Sequence, residues 1–571
     1  MEVTSGPANG ACPGCRCTPR PARWGGPRRA WLWGMLAVTV LLAVPVVVVV
    51  AALLWPDYAS LRHLAGTVLP TYVGNSLLLA LGVGIGTFVI GTGTAWLCSV
   101  CEFPGRRVFE WALLLPLAMP AYIIAYTYTG LLDAAGPVQT GLRNLTGWEL
   151  GDYAFPEIRS LTGAILMLTL VLYPYVYMLA RAAFLQQSAS ALNVSRSLGL
   201  GPWAMFRRVA LPLARPAIVA GLSLAVMETL ADYGTVKYFG IPTLTTGIFR
   251  TWFGLGDATA AAQLSAMLLG VIVLVIGLER ISRRQARYHH HGSWETAASF
   301  QLRGGRAAAA VAACALPLLL GFVVPVGQLL AWSVDLLPEA DLAAYATLVS
   351  RSLGLAGTTA LLAVGLAVFL AYGHRLLPTR FSGLIVRASS MGYAVPGTVI
   401  AVGVVIPFSA FDHAINDWAR AAFGVSPGLV LSGTLVALVF AYLVRFLAVS
   451  VNTVEAGLGR VKQSMDDAAR SLGMTSWRIL GRVHLPLIRG SLLTASLLVF
   501  VDVLKELPAT LVLRPFDFNT LAVRAFELAS DERLREAALP AVTIVVAGLI
   551  PVVLISRSIT GSERRNYPDE S

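Results

Sequence analysis

The sequence predicts an all-α integral membrane protein with twelve transmembrane helices, arranged as two parallel six-helix repeats. Three observations lead to this fold class. The 571 residues are 56% hydrophobic and only 13% charged, whereas soluble domains carry about 25% charged residues. Long uncharged runs recur along the chain, and they are long enough to cross about 30 Å of hydrocarbon. Finally, one polar segment occurs twice, 274 residues apart.

Hydropathy places the helices at 31–55, 72–99, 109–131, 161–185, 213–232, 261–279, 307–333, 353–377, 384–408, 428–450, 487–507 and 537–556. The net charge of +12 comes from Lys and Arg that gather beside these runs. Such clusters mark cytoplasmic loops, so both termini are expected in the cytoplasm. Topology and contact with the lipid membrane thus explain the basic charge, and no nucleic-acid partner is expected.

The charge pattern also divides the chain into domains, whose halves face the same way because six is an even number of spans. Expected are a basic cytoplasmic tail at 1–30, a six-helix domain at 31–279, a basic cytoplasmic linker at 280–306, a second six-helix domain at 307–557 and a tail at 558–571. The first tail, with Cys12, Cys15 and Cys17, is expected to be disordered. The linker contains His289–His291. Neither group has the ligand spacing of a metal site, so no metal is assigned and their role stays open.

The repeated segment aligns without a gap at an offset of 274 residues. Asp467-Ala468-Ala469 is a favourable helix opening, since an acid suits a helix N-terminus, and Gly473 would end that helix. Leu485-Pro486 would start the next membrane helix. Each copy therefore predicts a short helical hairpin on the cytoplasmic side. The same offset places Thr246, Arg250 and Asp257 on Thr520, Arg524 and Asp531.

The second copy resembles the cytoplasmic signature of permease subunits of binding-protein-dependent ABC importers. It reads Asp467-Ala468-Ala469, then Gly473, then Val483-His484-Leu485-Pro486. The first copy departs from the signature, with Asn193-Val194-Ser195 in place of the acid and the alanines. The stretches 228–236, 245–254 and 505–511 resemble fused permeases of ferric iron importers, in which one chain holds both six-helix halves.

The resemblance implies a type I importer permease of the bacterial inner membrane, a transport component rather than an enzyme. Two copies of a separate ABC ATPase would dock on the two loops, and an extracytoplasmic substrate-binding protein would deliver ferric iron. No cofactor is expected in this chain, because ATP would be bound by the ATPase. The implied coupling residues are Arg196, Ser197, Gly199, Trp203, Leu211, Pro212, Asp467, Ala468, Ala469, Gly473, Trp477, Leu485 and Pro486.

Four acidic residues recur at the same offset inside the membrane, since Glu228 falls on Asp502 and Asp232 on Glu506. Each pair is spaced i,i+4 and is expected on one helix face. Acids within membrane spans usually face a bundle interior or an aqueous path, and carboxylate oxygens suit a hard cation. The candidate pathway residues are Glu228, Asp232, Tyr233, Asp502, Lys505 and Glu506. Alternatively, Lys505, Arg250 or Arg524 neutralises these acids, or the acids reach an exposed interface.

Other cargoes and classes also fit parts of the sequence. Permeases for thiamine, phosphonate or polyamine are the nearest alternatives within the ABC class. A secondary transporter also uses duplicated bundles and membrane acids, but it has no need of two matching cytoplasmic loops. A membrane-embedded enzyme is the most distant alternative. The sequence leaves open the exact substrate, whether it binds within the membrane, and whether the two loops contribute equally.

Overall fold

The computed structural model describes residues 26–55, 58–186, 199, 201–284 and 300–566 and is mainly helical. The first half contains α1 (Gly26–Ala51), α2 (Ala59–Gly66), α3 (Leu69–Val100), α4 (Arg106–Ala112), α5 (Ala121–Leu132), α6 (Pro137–Thr146), α7 (Leu161–Gln186), α8 (Pro202–Met205), α9 (Leu211–Ala231), α10 (Gly234–Tyr238), α11 (Leu244–Phe249) and α12 (Ala258–Arg284).

The second half contains α13 (Gly305–Leu318), α14 (Val324–Leu336), α15 (Leu342–Leu376), α16 (Arg380–Ser389), α17 (Gly397–Phe423), α18 (Leu435–Gly459), α19 (Gln463–Ser471), α20 (Ser476–Ile479), α21 (Leu485–Leu487), α22 (Arg489–Leu504), α23 (Pro508–Leu513), α24 (Leu521–Ser530) and α25 (Leu534–Asn566). π-Helical turns cover Phe206–Ala210, Arg250–Gly254, Leu319–Val323 and Leu480–His484. Turns of 3-10 helix cover Ala52–Leu54, Leu115–Ala118, Leu337–Glu339 and Met391–Ala394. Two short strands, β1 (Cys101–Glu102) and β2 (Phe300–Gln301), pair in parallel.

The all-α membrane fold class is confirmed. Among the described residues, 10 helices are long and apolar enough to span a membrane, and two bent helix pairs raise the number to 12. The bent pairs are Arg106–Ala118 with Ala121–Thr146, at 92°, and Ser476–Leu487 with Arg489–Leu504, at 77°. They lie where the sequence predicted helices 109–131 and 487–507, so these two spans are broken rather than straight.

The predicted helix 384–408 is wrong in its position. α16 ends at Ser389, and α17 begins only after Pro396. Pro396 has no N–H with which to continue a helix, and it disfavours helical geometry at the preceding residue. Val395 is accordingly extended, with ψ 127°. The membrane-spanning helix therefore runs from Gly397 to Phe423.

α1 packs mainly on the second half, and α13, the first part of the span that opens the second half, packs on the first half. α1 lies against α16 and α17, whereas α13 and the turn Leu319–Val323 lie against α3 and α7. Glycine permits both contacts at backbone distance. A Cβ added at Gly403 on α17 would lie 2.3 Å from the Pro45 carbonyl oxygen of α1, and one at Gly321 would lie 2.7 Å from the Leu170 carbonyl oxygen of α7. This exchange joins the two halves into one bundle.

Candidate functional site

The second copy of the repeated segment, residues 463–486 and here named the second coupling segment, is a helix followed by a tight glycine turn. α19 ends at Ser471, and Gly473 adopts φ +75°, a conformation that glycine takes without steric cost. The Met474 N–H donates to the Ala469 carbonyl at 3.1 Å, and the Gly473 N–H donates to the Arg470 carbonyl at 2.9 Å. These two bonds form a Schellman motif, which confirms the predicted helix end.

The predicted start of that helix is wrong, because Asp467-Ala468-Ala469 lies in its middle. α19 begins at Gln463, so Asp466 occupies the first turn and Asp467 lies beyond it. The Asp467 side chain is 71% exposed and pairs with Arg470 on the next turn at 3.1 Å. Asp466 and Ala469 form the buried face of the helix, since residues three apart share one side.

Asp466 is a functional candidate that the sequence reading missed. Arg375 Nε donates to Asp466 Oδ2 at 2.8 Å, and the other Arg375 nitrogens donate to the carbonyls of Leu458 and Val461. Buried His484 places its Nε2 2.6 Å from Asp466 Oδ1. This cluster ties α15, α18 and α19 to the turn Leu480–His484. Helical periodicity is the signal that could have found it, because Asp466 lies three residues before Ala469 and shares its helix face, whereas Asp467 does not.

The first coupling segment shares the backbone geometry of the second where the structure describes it. Residues 187–198, and with them Arg196 and Ser197, lie outside the described residues. Gly199 adopts φ +77°, matching Gly473. The π-turn Phe206–Ala210 corresponds to Leu480–His484 at the same offset of 274 residues, and Leu211-Pro212 and Leu485-Pro486 follow directly. The sequence register of the two segments is therefore also a structural register.

The two segments differ in how they are held. The positions of Asp466 and His484 in the first copy are Leu192 and Ala210, so no acid–histidine contact can form there. Instead, Trp203 packs against Phe206 with ring centroids 5.5 Å apart, and Phe206 lies beside Trp96.

In the second copy Trp477 lies against Trp31 of α1, with centroids 4.5 Å apart. The Trp31 indole N–H donates to the Phe369 carbonyl at 3.1 Å. Trp203 and Trp477 are nevertheless 72% and 63% exposed, so each segment presents an aromatic surface to its surroundings.

The four membrane acids lie near the far ends of α9 and α22, but the predicted i,i+4 arrangement on one helix face is wrong. α9 ends at Ala231 and α22 at Leu504, one residue before Asp232 and two before Glu506. Both later acids instead bind the start of the next short helix. Asp232 accepts from the Val236 N–H at 3.1 Å, and Glu506 accepts from the Ala509 N–H at 3.1 Å. Each carboxylate thus satisfies an N-terminal amide that would otherwise lack a partner.

Two of the acids are also neutralised by cations. Lys505 Nζ lies 2.8 Å from Asp502, and Arg445 Nη1 lies 3.1 Å from Glu506. Arg445 comes from α18, so the expected alternative partners Arg250 and Arg524 do not supply this contact. Gly397 leaves room for the Arg445–Glu506 pair, because a Cβ there would lie 2.3 Å from Arg445 and 2.4 Å from Glu506.

Glu228 has a different environment from the other three acids. Among the described residues it takes part in no ion pair. It lines a small cavity with Tyr393 and Arg445. Tyr233 is buried nearby in the chain, stacked on Phe249 at 3.8 Å and 6.2 Å from Phe526 of the second half. Among the described residues, Glu228 is therefore the candidate acid that has neither an ion-pair partner nor a side-chain hydrogen bond, whereas Asp232 lacks only the ion pair.

The predicted correspondence of the loops beyond the acids is wrong. Thr243 caps α11 and Thr520 caps α24, each through its side-chain oxygen. The first amide of each helix, Leu244 or Leu521, donates to a serine side chain, Ser76 on α3 or Ser352 on α15. The structural offset here is 277, so Thr520 matches Thr243 rather than Thr246. Three extra residues between Glu506 and Thr520 cause the shift.

Within the described residues, no three His, Cys, Asp or Glu side chains form a group that could hold a metal ion. The cysteines Cys12, Cys15 and Cys17 and the histidines 289–291 lie outside the described residues.

Comparison with known proteins identifies relatives for both halves. Residues 25–287 and 363–565 match the family described as binding-protein-dependent transport system inner membrane component. The chain is 28% identical over 490 residues to the Fe(3+)-transport system permease protein FbpB 2 of Haemophilus influenzae, covering 85% of this chain and 89% of the relative.

Shorter relatives align with part of the chain. The molybdenum transport system permease protein ModB of Escherichia coli is 30% identical over 223 residues, covering 37% of this chain and 92% of the relative. The sulfate transport system permease protein CysW of Escherichia coli is 26% identical over 291 residues, covering 48% and 95%.

Proposed function

This chain belongs to the family of binding-protein-dependent transport system inner membrane components, and we propose that it forms the translocation path of an ABC importer for ferric iron. It is a multi-pass inner membrane permease, a transport component whose partners are an ATPase and a substrate-binding protein. The observation that supports ferric iron as the cargo is the relative named for Fe(3+) transport. Its similarity extends over 490 residues and thus over both halves.

The two coupling segments would each receive one copy of the ATPase. Exposed Trp203 and Trp477, at 72% and 63%, offer apolar anchors of the kind that dominate protein interfaces. ATP would be bound and hydrolysed by those partners, with no cofactor in this chain. Closure of the ATPase pair would draw the segments together and rock the halves between inward-open and outward-open states. Both termini would then lie in the cytoplasm.

Glu228 would contact the cargo on its way through the bundle. Its carboxylate has no ion-pair partner among the described residues, and oxygen ligands suit hard cations. Asp232, Asp502 and Glu506 would act mainly by shaping the break between the long and short helices, because each already has a hydrogen-bond or ion-pair partner. Tyr233 and Lys505 would position these acids at the junction of the halves.

The test is ATP-dependent uptake of radioactive iron by proteoliposomes that contain this chain, its ATPase and its binding protein. E228Q is expected to lower iron uptake about tenfold, as for loss of one charge-assisted contact. E339Q, at an exposed position, serves as the matched control and should transport normally. Unchanged iron uptake by assembled E228Q complexes would rule out the pathway role.

The same assembly distinguishes the cargo. Iron should accumulate, whereas thiamine, polyamine and phosphonate should not. Accumulation of one of those solutes in place of iron would overturn the iron proposal while leaving the permease assignment intact. The relatives named for molybdenum and sulfate make these two anions necessary comparisons.

A further inference from the structure

A cavity of about 410 Å³ lies beyond the end of α9 that is remote from the coupling segment, and two basic residues line it. Lys237 comes from the last turn of α10. Arg250 is the first residue of the π-turn that follows α11. Tyr72 and Tyr233 also line the cavity and bring two further hydroxyl groups. The lining that the structure describes contains no acidic residue, so its formal charge is +2.

Among the residues that the structure describes, neither cation has a carboxylate partner. Both residues are exposed, and no ion pair within the described ranges involves either of them. An anion in the cavity would supply a counter-charge and would accept hydrogen bonds from both donors.

The second half does not repeat the basic pair. At the offset of 274 that holds through the acids, Leu511 corresponds to Lys237. At the offset of 277 that relates α11 to α24, Glu527 corresponds to Arg250. Glu527 forms an ion pair with Arg514 at 2.7 Å. The second half therefore folds without two basic residues at these positions. A structural role common to both halves does not explain Lys237 and Arg250.

We propose that this cavity binds a small tetrahedral oxyanion, with molybdate, sulfate and phosphate as probes. The planar guanidinium of Arg250 can bind two oxygens side by side, and the ammonium of Lys237 supplies a compact charge. A volume of about 410 Å³ falls within the usual range for small-molecule sites. The site belongs to the proposed importer. Its oxyanion is either the cargo itself or an anion that accompanies a cationic cargo.

The direct test is calorimetric titration of the full-length chain in lipid nanodiscs with sodium molybdate, sulfate and phosphate in turn. The wild-type chain should bind at least one probe saturably. K237Q and R250Q should each weaken that binding about tenfold, and R250K should fall between R250Q and wild type. R535Q changes an exposed arginine outside the cavity and should bind as wild type. Equal thermal unfolding midpoints would show that the variants are folded.

Absence of saturable binding of all three probes to the wild-type chain would overturn the proposal. Equal binding by wild type and the K237Q/R250Q double variant would do the same. Both results are independent of transport, so they leave the iron proposal untouched.

Uptake by the complete transporter then identifies the source of the anion. Accumulation of labelled probe makes the oxyanion the cargo. Iron uptake that rises with added probe, without probe accumulation, makes it an accompanying anion. Either result supports the site if K237Q and R250Q abolish the probe accumulation or the probe-stimulated iron uptake. Uptake by these variants that equals the wild-type uptake counts against the site.

Discussion

Two neighbouring aspartates on α19 have opposite environments. Asp466 is 5% exposed and is held by Arg375 and His484. Asp467 is 71% exposed, and its ion pair among the described residues is with Arg470 of the same helix. Removing one partner of a buried ion pair leaves the other charge buried and uncompensated. Exposed ion pairs contribute little to the free energy of unfolding. Position on the helix, not residue type, therefore decides which aspartate holds the coupling segment in place.

We expect D466A to destabilise the protein by about 3–5 kcal/mol, because Arg375 would lose its buried counter-ion. D467A should cost less than about 1 kcal/mol. Thermal or denaturant unfolding of the purified chain in detergent would measure the difference. D466N retains an oxygen acceptor and should fall between the two. Similar losses for D466A and D467A would refute the assigned anchoring role.

The sequence places Asp466 on the helix face of Ala469 but does not identify the residues that bury it. The family resemblance aligns Asp467 with the family's acidic position, whereas the repeat aligns it with Asn193. Burial of Asp466 depends on Arg375, which lies 91 residues earlier in the chain. Local pattern carries no information on such a contact. Gly473 was predictable because a helix end with positive φ is a local requirement.

At the scale of elements, the positions at which the long helices end determine the environment of the membrane acids. Hydropathy predicted helices through 232 and 507, whereas α9 ends at Ala231 and α22 at Leu504. The predicted ends lie one and three residues beyond the observed ends, but hydropathy does not show what ends each helix. What ends the helices is capping, since Asp232 and Glu506 bind amides of the following short helices. Asp232 and Glu506 therefore cap the short helices, whereas Glu228 and Asp502 lie within the long helices.

Close contact between α1 and α17 gives a prediction at the same scale. G403A should destabilise the protein, because the new Cβ would lie 2.3 Å from the Pro45 carbonyl oxygen and would separate the helices. G365A on α15 is the matched control, since a Cβ there meets no atom within 4 Å. It should be neutral or stabilising by about 0.4–1 kcal/mol. Unfolding midpoints of the two variants decide the matter, and equal midpoints would refute the close contact.

At the scale of the whole molecule, the exchange of first helices makes the halves mutually dependent. α1 completes the packing of α16 and α17, while α13 and its π-turn complete that of α3 and α7. Periodicity and the repeated segment sufficed to predict two six-helix halves. The exchange could not be predicted from sequence, because hydropathy locates spans in the chain without pairing them. Residues such as Gly403 and Gly321 resemble ordinary helical glycines until their neighbours are known.

Cutting the chain within 285–299 and producing both pieces in one cell tests this dependence. The two pieces should co-purify as a stable complex, because each contributes a helix to the other's packing. Each piece produced alone should aggregate or be degraded, since its lipid-embedded packing would be incomplete. Recovery of both pieces as separate, folded proteins would contradict the exchange. Affinity purification through a tag on one piece supplies the measurement.

The two π-turns at matching positions also bear on the order of insertion and gene duplication. A π-turn holds one more residue than the same length of α-helix. Phe206–Ala210 and Leu480–His484 carry that surplus at one shared offset of 274. A surplus residue at the same place in both copies was acquired before the ancestral gene doubled. The turns Arg250–Gly254 and Leu319–Val323 each occur in one copy among the described residues. They belong with the three extra residues before Thr520 as changes that accumulated after the doubling.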